Sequence, residues 1–449
     1  MGQQIEDLAR FVATTHWSDV PAPVRHRTKL VLLDTVGVIL AGSGRPEVRA
    51  LRERLAGNAG TGATLLAPGF AGTDPRTAAM LNSIAGRSVE MTEGLRGLQG
   101  AVHIIPGVLA VGEHRRSTGE ELLEALLLGY EVGGRLNAGF TPRVLAHPNG
   151  QVSLLSAVAA GARLHGMDGP GVSLAMRIAT TMLMTPSYMN TAAGGTTLNL
   201  AAGMGSFAAG LAPEMALAGY AAQEDAIEEA LGQMVGSGFD PAGVVDGLGE
   251  SWGMTDNYFR FYACCNPIHP ALDSLQEVLD FLRPRPGDIS RIDVQTFAFA
   301  AVMRNPDPPN YFASKYSLPH AAATLVVRGG LGFSALDDSA LEDPVIAALR
   351  HRVHITADPA MTAAGPTLKP ARVTIRLVDG REATASCQNS RRDTLLADPE
   401  VQVREKFHEL AGTVLTPEGV AKAEAAVDRS EAWASVDDLL SVLRRYARA

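Results

Sequence analysis

Eleven histidines are spread along the 449 residues, and four of them stand where a loop meets a helical pattern. His147-Pro148-Asn149-Gly150 comes just before an Ala-rich stretch, which predicts an imidazole beside a helix N-terminus. Positive dipole charge there lowers the pKa and favours the neutral, base-competent ring. His269-Pro270-Ala271-Leu272-Asp273 occupies the same kind of position where the pattern of the chain changes, behind Arg260-Phe261-Tyr262-Ala263-Cys264-Cys265. Ligand sites concentrate at such changes of domain. His103 precedes Ile104-Ile105-Pro106, and His320 follows Lys315-Tyr316-Ser317-Leu318-Pro319; for both, a packing role and a catalytic one stand side by side. His16, His26, His114, His165, His351 and His408 lie in polar or helix-face settings and are expected to be solvated or structural.

Other residue types carry less. The amides of Gly194-Gly195, in Ala192-Ala193-Gly194-Gly195-Thr196-Thr197, could cradle an anion, although the spacing is neither a dinucleotide fingerprint nor a phosphate loop. Cys264-Cys265 suits burial as a small apolar pair better than redox work. Glu90 and Glu93, three apart, match a solvated helix face as well as an acid pair. Three cysteines offer no disulfide framework, and no Cys or His spacing suggests a metal site. A net charge of −9 with no basic run disfavours nucleic acid. Acids at the start of the chain argue against an export signal, and apolar runs such as 154–162 stop short of a membrane span. A cytoplasmic protein is expected.

The elements that must hold these groups fall into two patterns. From Asp7 to about Gly219 apolar residues recur at helical spacing. Pro21-Ala22-Pro23 opens one helix that ends near Gly42-Ser43-Gly44, and Ser117-Thr118-Gly119-Glu120 places a hydroxyl before the acidic first turn of another. Stretches 152–165 and 203–219 are rich in Ala and Gly on nearly every side, which predicts helices enclosed by helices. Beyond Pro270, β-branched alternation predicts strands at 290–297, 353–355 and 371–381, the last closed by an Asp379-Gly380 turn, with helical patterns at 272–281, 320–328 and 344–350 between them. The prediction is a mainly α protein: a discontinuous all-helical domain of residues 1–268 and 402–449, interrupted by a smaller α+β domain of residues 269–401.

The order of several segments resembles the MmgE/PrpD family. The matching pieces are Leu33-Asp34-Thr35-Val36-Gly37, Glu90-Met91-Thr92-Glu93-Gly94, Gly129-Tyr130-Glu131-Val132, His147-Pro148-Asn149-Gly150, the run from Tyr258 to Asp273, Lys315-Tyr316-Ser317-Leu318-Pro319 and Asp358-Pro359. The resemblance implies a helical domain, an α/β lid domain, a site in the cleft between them, a homodimer, and chemistry on small polycarboxylates without metal or organic cofactor. Carried over by position, it assigns His147 and His269 to catalysis, with His103 and Tyr316 beside them. Arg260, Lys315, Glu90, Gln99, Gly195 and His320 are the residues expected to bind the substrate. Two departures stand out: Gln99-Gly100 replaces a His-Pro dipeptide, and Leu198 replaces a cation.

Proton removal beside a carboxylate builds negative charge that preorganised donors must meet. Without a cation at 198, that duty is expected to fall on Arg260, Lys315 or the Gly194-Gly195 amides, and either the substrate carries less charge than a tricarboxylate or the chemistry differs. The expected activity is a cofactor-independent lyase of dehydratase type acting on a small carboxylate or carbonyl compound. An epimerase using the same proton abstraction, or a retired binding homologue, are the alternatives. As exposed cleft groups, His147 and His269 are expected to be replaceable with little loss of stability.

Overall fold

Helices approach closely only where facing residues are small, and the larger part of the chain is built on that rule. A computed structural model describes residues 2–55, 62–365, 368–394 and 399–448. These fold as two compact units: residues 1–188, 197–258 and 400–449 form one, and residues 189–196 and 259–399 the other. The sequence boundaries were drawn at 268/269 and 401/402; here the chain divides at 258/259 and 399/400, and a short segment around Gly194-Gly195 joins the second unit.

The first unit is helical apart from short two-stranded ribbons such as Phe140–Pro142 with Gly236–Phe239. Its principal helices are α1 (Ala22–Gly42), α2 (Pro75–Arg87), α3 (Ala101–Arg115), α4 (Gly119–Gly139), α5 (Val152–Leu164) and α6 (Leu198–Leu217). Pro21 precedes α1 with Pro23 in its first turn, as its opening Pro-Ala-Pro predicts. α4 starts on a capping box: the Thr118 hydroxyl accepts from the Glu121 N–H at 3.3 Å, and the Glu121 carboxylate accepts from the Thr118 N–H at 2.8 Å. The Ala/Gly helices pack as expected. A Cβ on Gly161 of α5 would lie 2.0 Å from the Ala209 carbonyl oxygen of α6, and one on Gly129 of α4 would lie 2.6 Å from that of Ser156 in α5. Only glycine allows either approach. α6, with a mean hydropathy of 1.2, has the length and composition of a membrane span, a longer apolar helix than the sequence outline of 203–219 suggested. Its packing against α2, α3 and α5 accounts for that composition.

The second unit carries a four-stranded sheet flanked by helices. Its elements are α7 (His269–Leu282), β1 (Ile289–Thr296), α8 (Leu318–Arg328), β2 (Val353–Ala357), β3 (Ala371–Leu377) and β4 (Glu382–Cys387). The spatial order is β2-β1-β3-β4, with β1 parallel to β2 and antiparallel to β3. β3 and β4 form a hairpin whose turn holds Gly380 at φ +88°, a left-handed conformation that glycine adopts without strain. β1 and β3 alternate buried and exposed residues, the period-2 pattern of a sheet with one face covered. α7 lies against β3 and β4 and supplies that cover.

Candidate functional site

In the first unit the polar residues converge on the loop between α2 and α3 and on the segment leading into α5. The loop crosses the helical interior, so its polar groups are buried and must find partners inside the protein. Glu90, held at φ +54°, pairs with Arg87 in an ion pair from which solvent is almost wholly excluded. The expectation of a solvated Glu90–Glu93 face therefore fails: both acids are interior. Glu93 accepts from the Tyr130 hydroxyl and from the Ala101 N–H at 2.9 Å. Burial pushes its carboxyl up to about 7, against those hydrogen bonds, which favour the ionised form. A lysine from the helix Glu400–Ala411 also enters this region: Lys406 Nζ lies 2.7 Å from Asp34 and donates to the Met91 carbonyl at 2.6 Å.

His147 lies five residues before α5, beyond reach of a dipole effect confined to the first turn. Its setting is different from the one the sequence suggested. The ring is 5% exposed and stacks on Tyr188 with centroids 5.4 Å apart and planes 11° from parallel. Its Nδ1 accepts from the Asn149 N–H at 3.3 Å, and the Asn149 side chain donates to Gln99 Oε1 at 3.1 Å. With Nδ1 accepting, the neutral ring carries its proton on Nε2. Gln99 thus touches the His147 segment through Asn149, and its own carbonyl accepts from His103 Nδ1 at 2.8 Å. His103 is fully buried in the first turn of α3; burial, with Arg87 adding to it, lowers its pKa to about 3, so the ring is neutral.

The second unit holds a separate constellation at the start of α7. His269 is wholly buried, with Nδ1 2.6 Å from Asp393 Oδ2 and Nε2 2.9 Å from the Cys264 carbonyl oxygen. Both nitrogens face acceptors, so both carry protons. Burial alone would lower the pKa; the Asp393 carboxylate overrides it and lifts the ring to about 10. His269 is an imidazolium at neutral pH. Asn266 donates to the same Asp393 oxygen at 2.6 Å and accepts from Lys369. The Tyr262 ring meets the imidazolium edge-on at 5.2 Å, and its hydroxyl donates to Asp273 at 2.8 Å.

Arg260, Lys315, Tyr316 and His320 are interior to the same unit. Arg260 is buried. Lys315 donates to the Leu336 carbonyl and lies 4.0 Å from the Tyr311 ring centroid. Tyr316 packs on Phe312 at 5.7 Å. His320 accepts at Nδ1 from Arg350 at 3.4 Å, and burial, followed by Arg350 and Lys315, lowers its pKa to about 3. The anion nest at Gly195 is corrected by its hydrogen bonds. The Gly194 N–H donates to the Thr191 carbonyl at 2.9 Å and the Gly195 N–H to that of Asn190 at 2.8 Å, so neither amide is left for an anion.

Two family patterns cover most of the chain that carries these constellations. A family model described as the MmgE/PrpD N-terminal domain matches residues 6–240, and one described as the MmgE/PrpD C-terminal domain matches residues 262–432. The chain belongs to the MmgE/PrpD family. Among similar proteins, the cis-aconitate decarboxylase-like protein oryM of Aspergillus oryzae is 24% identical, across 98% of this chain and 97% of that protein. The cis-aconitate decarboxylase of Aspergillus terreus is also 24% identical, across 95% of this chain and 94% of its own.

Within this MmgE/PrpD chain the sequence did not point to Asp393, Asn266, Lys369 or Tyr130 as partners. Asp393 lies 124 positions from His269 and shares no motif with it. Tyr130 stood inside the quoted Gly129-Tyr130-Glu131-Val132 segment, where its helical spacing marked it only as core.

Proposed function

We propose that this chain is a cofactor-independent lyase of dehydratase type, acting on a small organic acid at a carbon next to a carboxylate or carbonyl. The observation that carries the proposal is the fixed imidazole of His147. A ring clamped between a backbone N–H at Nδ1 and an aromatic face has one plane and one reactive nitrogen, Nε2. In this proposal the Glu93 carboxylate takes the proton from the carbon, Nε2–H of His147 passes its proton to the departing hydroxyl, which leaves as water, and the proton on Glu93 then returns to the ring; positioned proton transfer contributes about 10²–10⁴ in rate. Glu93, with a carboxyl near 7, is an acid–base group of the same unit whose protonation changes at working pH. The family and its decarboxylase relatives support lyase chemistry on small carboxylic acids.

His269 has a different part in this proposal. As an imidazolium bound to Asp393 it cannot accept a proton, so it provides positive charge rather than a base. The same proposal has the enzyme working as a homodimer, which sedimentation of the purified chain tests. The activity itself is tested by incubating the chain with hydroxy acids in D₂O and following both alkene and Cα deuterium by NMR. Alkene formation is expected. Deuterium at Cα without alkene would replace the dehydratase with an epimerase, and neither product would leave a binding homologue.

A further inference from the structure

Lys406 is held by two acceptors in the interior of the first unit: its Nζ lies 2.7 Å from Asp34 Oδ1 of α1 and donates to the Met91 carbonyl at 2.6 Å. Both charged side chains are closed to solvent. A buried ion pair is costly to assemble and is weak evidence of added stability, so its presence calls for a reason in what it holds. It holds the loop between α2 and α3. Met91 stands two residues before Glu93, and residues 91–93 form neither helix nor strand. Glu90 just before them is bent to φ +54°, and the Gly94 N–H just after them donates to the Tyr258 carbonyl at 3.0 Å. Lys406 fixes the stretch between these two points.

The groups that hold the Glu93 carboxyl are neutral: the Tyr130 hydroxyl, the Ala101 N–H at 2.9 Å and the Asn257 amide. Charges lie one step further out. α1 brings Asp34, and Arg27, which donates to the Asn257 carbonyl at 3.4 Å. α2 brings Arg87, paired with Glu90, and α4 brings Glu131, with Arg135 3.8 Å away. The segment 256–258 brings Asp256, 3.5 Å from Arg96, and the Tyr258 phenol; His103 of α3 is neutral. Within this set the Asp34 carboxylate repels an ionised Glu93 and favours its protonated form. Lys406, in contact with that carboxylate, is the charge that limits the repulsion. We infer that Asp34 and Lys406 are positioning residues for Glu93: Lys406 holds the Met91 carbonyl and with it the course of the loop, and the pair sets the charge against which the Glu93 carboxylate takes up a proton. The inference rests on the proposed lyase for the role of Glu93 as base; the hold on the loop stands on the geometry.

NMR of the full-length chain carrying isotope-labelled glutamate follows the Glu93 carboxyl through a pH titration, with the resonance assigned by its disappearance in Glu93→Gln. The unaltered chain is expected to titrate near 7. Lys406→Met takes away the cation and should move the midpoint upward by about one pH unit, whereas Asp34→Asn takes away the anion and should move it downward by about as much. A merely structural pair would not give opposite signs. Lys406→Arg keeps the charge and should restore the midpoint of the unaltered chain. Should Lys406→Met fail to fold, the double variant Lys406→Met with Asp34→Asn leaves neither charge alone and is expected to titrate below the unaltered chain, since the repelling carboxylate is gone. Unmoved midpoints, or both single changes moving it in one direction, would overturn the inference. The acid limb of kcat/KM against pH should move with the same signs for any hydroxy acid that is turned over. Opposed NMR shifts with no acid turned over sink the lyase and spare the pair. Alkene formation with unmoved midpoints does the reverse.

Discussion

His269 and Asp393 form an ion pair closed to solvent, with Nδ1 2.6 Å from Oδ2 and both side chains fully screened. The pair reaches 124 positions along the chain and ties the start of α7 to the segment after β4. Removing either partner strands the other as an uncompensated charge, which costs about 3–5 kcal/mol. His269→Ala is therefore expected to lower the melting temperature sharply, against the sequence-based expectation of a harmless exposed histidine. Thermal unfolding followed by circular dichroism measures it, and an unchanged midpoint would contradict the pairing.

The same pair sets a pH dependence. His269 is raised from 6.5 unfolded to about 10 folded, so its stabilisation is complete below about pH 6.5 and is lost as pH climbs toward 10. The loss should be on the order of a few kcal/mol across that window. Asp393→Asn removes the cause of the shift, lets burial dominate, and should flatten the curve. Urea midpoints at steps from pH 6 to pH 10 for both proteins compare the slopes; equal slopes would show that His269 does not titrate there.

Much of the architecture was legible because it depends on local pattern. The capping box at Thr118, the turn at Asp379-Gly380 and the helix at Pro344–Arg350 are encoded in neighbouring residues. The interior charges were not legible. Glu90 and Glu93 have the i, i+3 spacing of a surface face, and nothing local shows that the loop carrying them crosses the core. Gly194-Gly195 has the composition of a nest, but the turn around Asn190 and Thr191 consumes both amides. His147 was legible as a singular residue, whereas the tautomer that decides its chemistry depends on the backbone two residues on.

Glu93 titrates in the opposite direction from a paired acid. Its folded pKa of about 7 stands above the ordinary 4.5, so protonation stabilises the fold at low pH and that benefit disappears as pH rises through 7. Glu93→Gln resembles the protonated form. It should be close to neutral for stability at pH 4 and stabilising by about 3 kcal/mol at pH 8. Denaturation midpoints of the two proteins at both pH values give the difference; a stability gap that does not grow with pH would place the carboxyl back in the ordinary range.

Lys406 and Asp34 provide a second buried pair, with an N–O distance of 2.7 Å and side chains 3% and 0% exposed. Because Lys406 also donates to the Met91 carbonyl, it anchors the loop that leads to Glu93 and Gln99. Lys406→Met should cost about 3–5 kcal/mol by removing the positive charge beside the buried Asp34 carboxylate, while Asp34→Asn added to it should recover part of that loss. The recovery is the informative quantity. An additive double variant would mean that the two side chains do not interact, whereas a shortfall of the loss by about 1 kcal/mol or more shows their coupling, since residues in contact depart from additivity by 0.5–3 kcal/mol.

His147→Gln is expected to reduce turnover by about 10²–10⁴ with the Michaelis constant little changed, because the oriented ring contributes a proton and not binding area. Its melting temperature should fall only modestly: the Tyr188 stack is lost, but glutamine can keep an acceptor for the Asn149 N–H. Asn149→Ala leaves that backbone N–H in place and removes the link to Gln99, so its turnover should fall less than that of His147→Gln. Steady-state kinetics of the two variants, set beside their unfolding curves, decides between roles. Equal losses of activity that follow equal losses of stability would make His147 a packing residue, and a large loss confined to turnover makes Nε2 the atom that moves the proton.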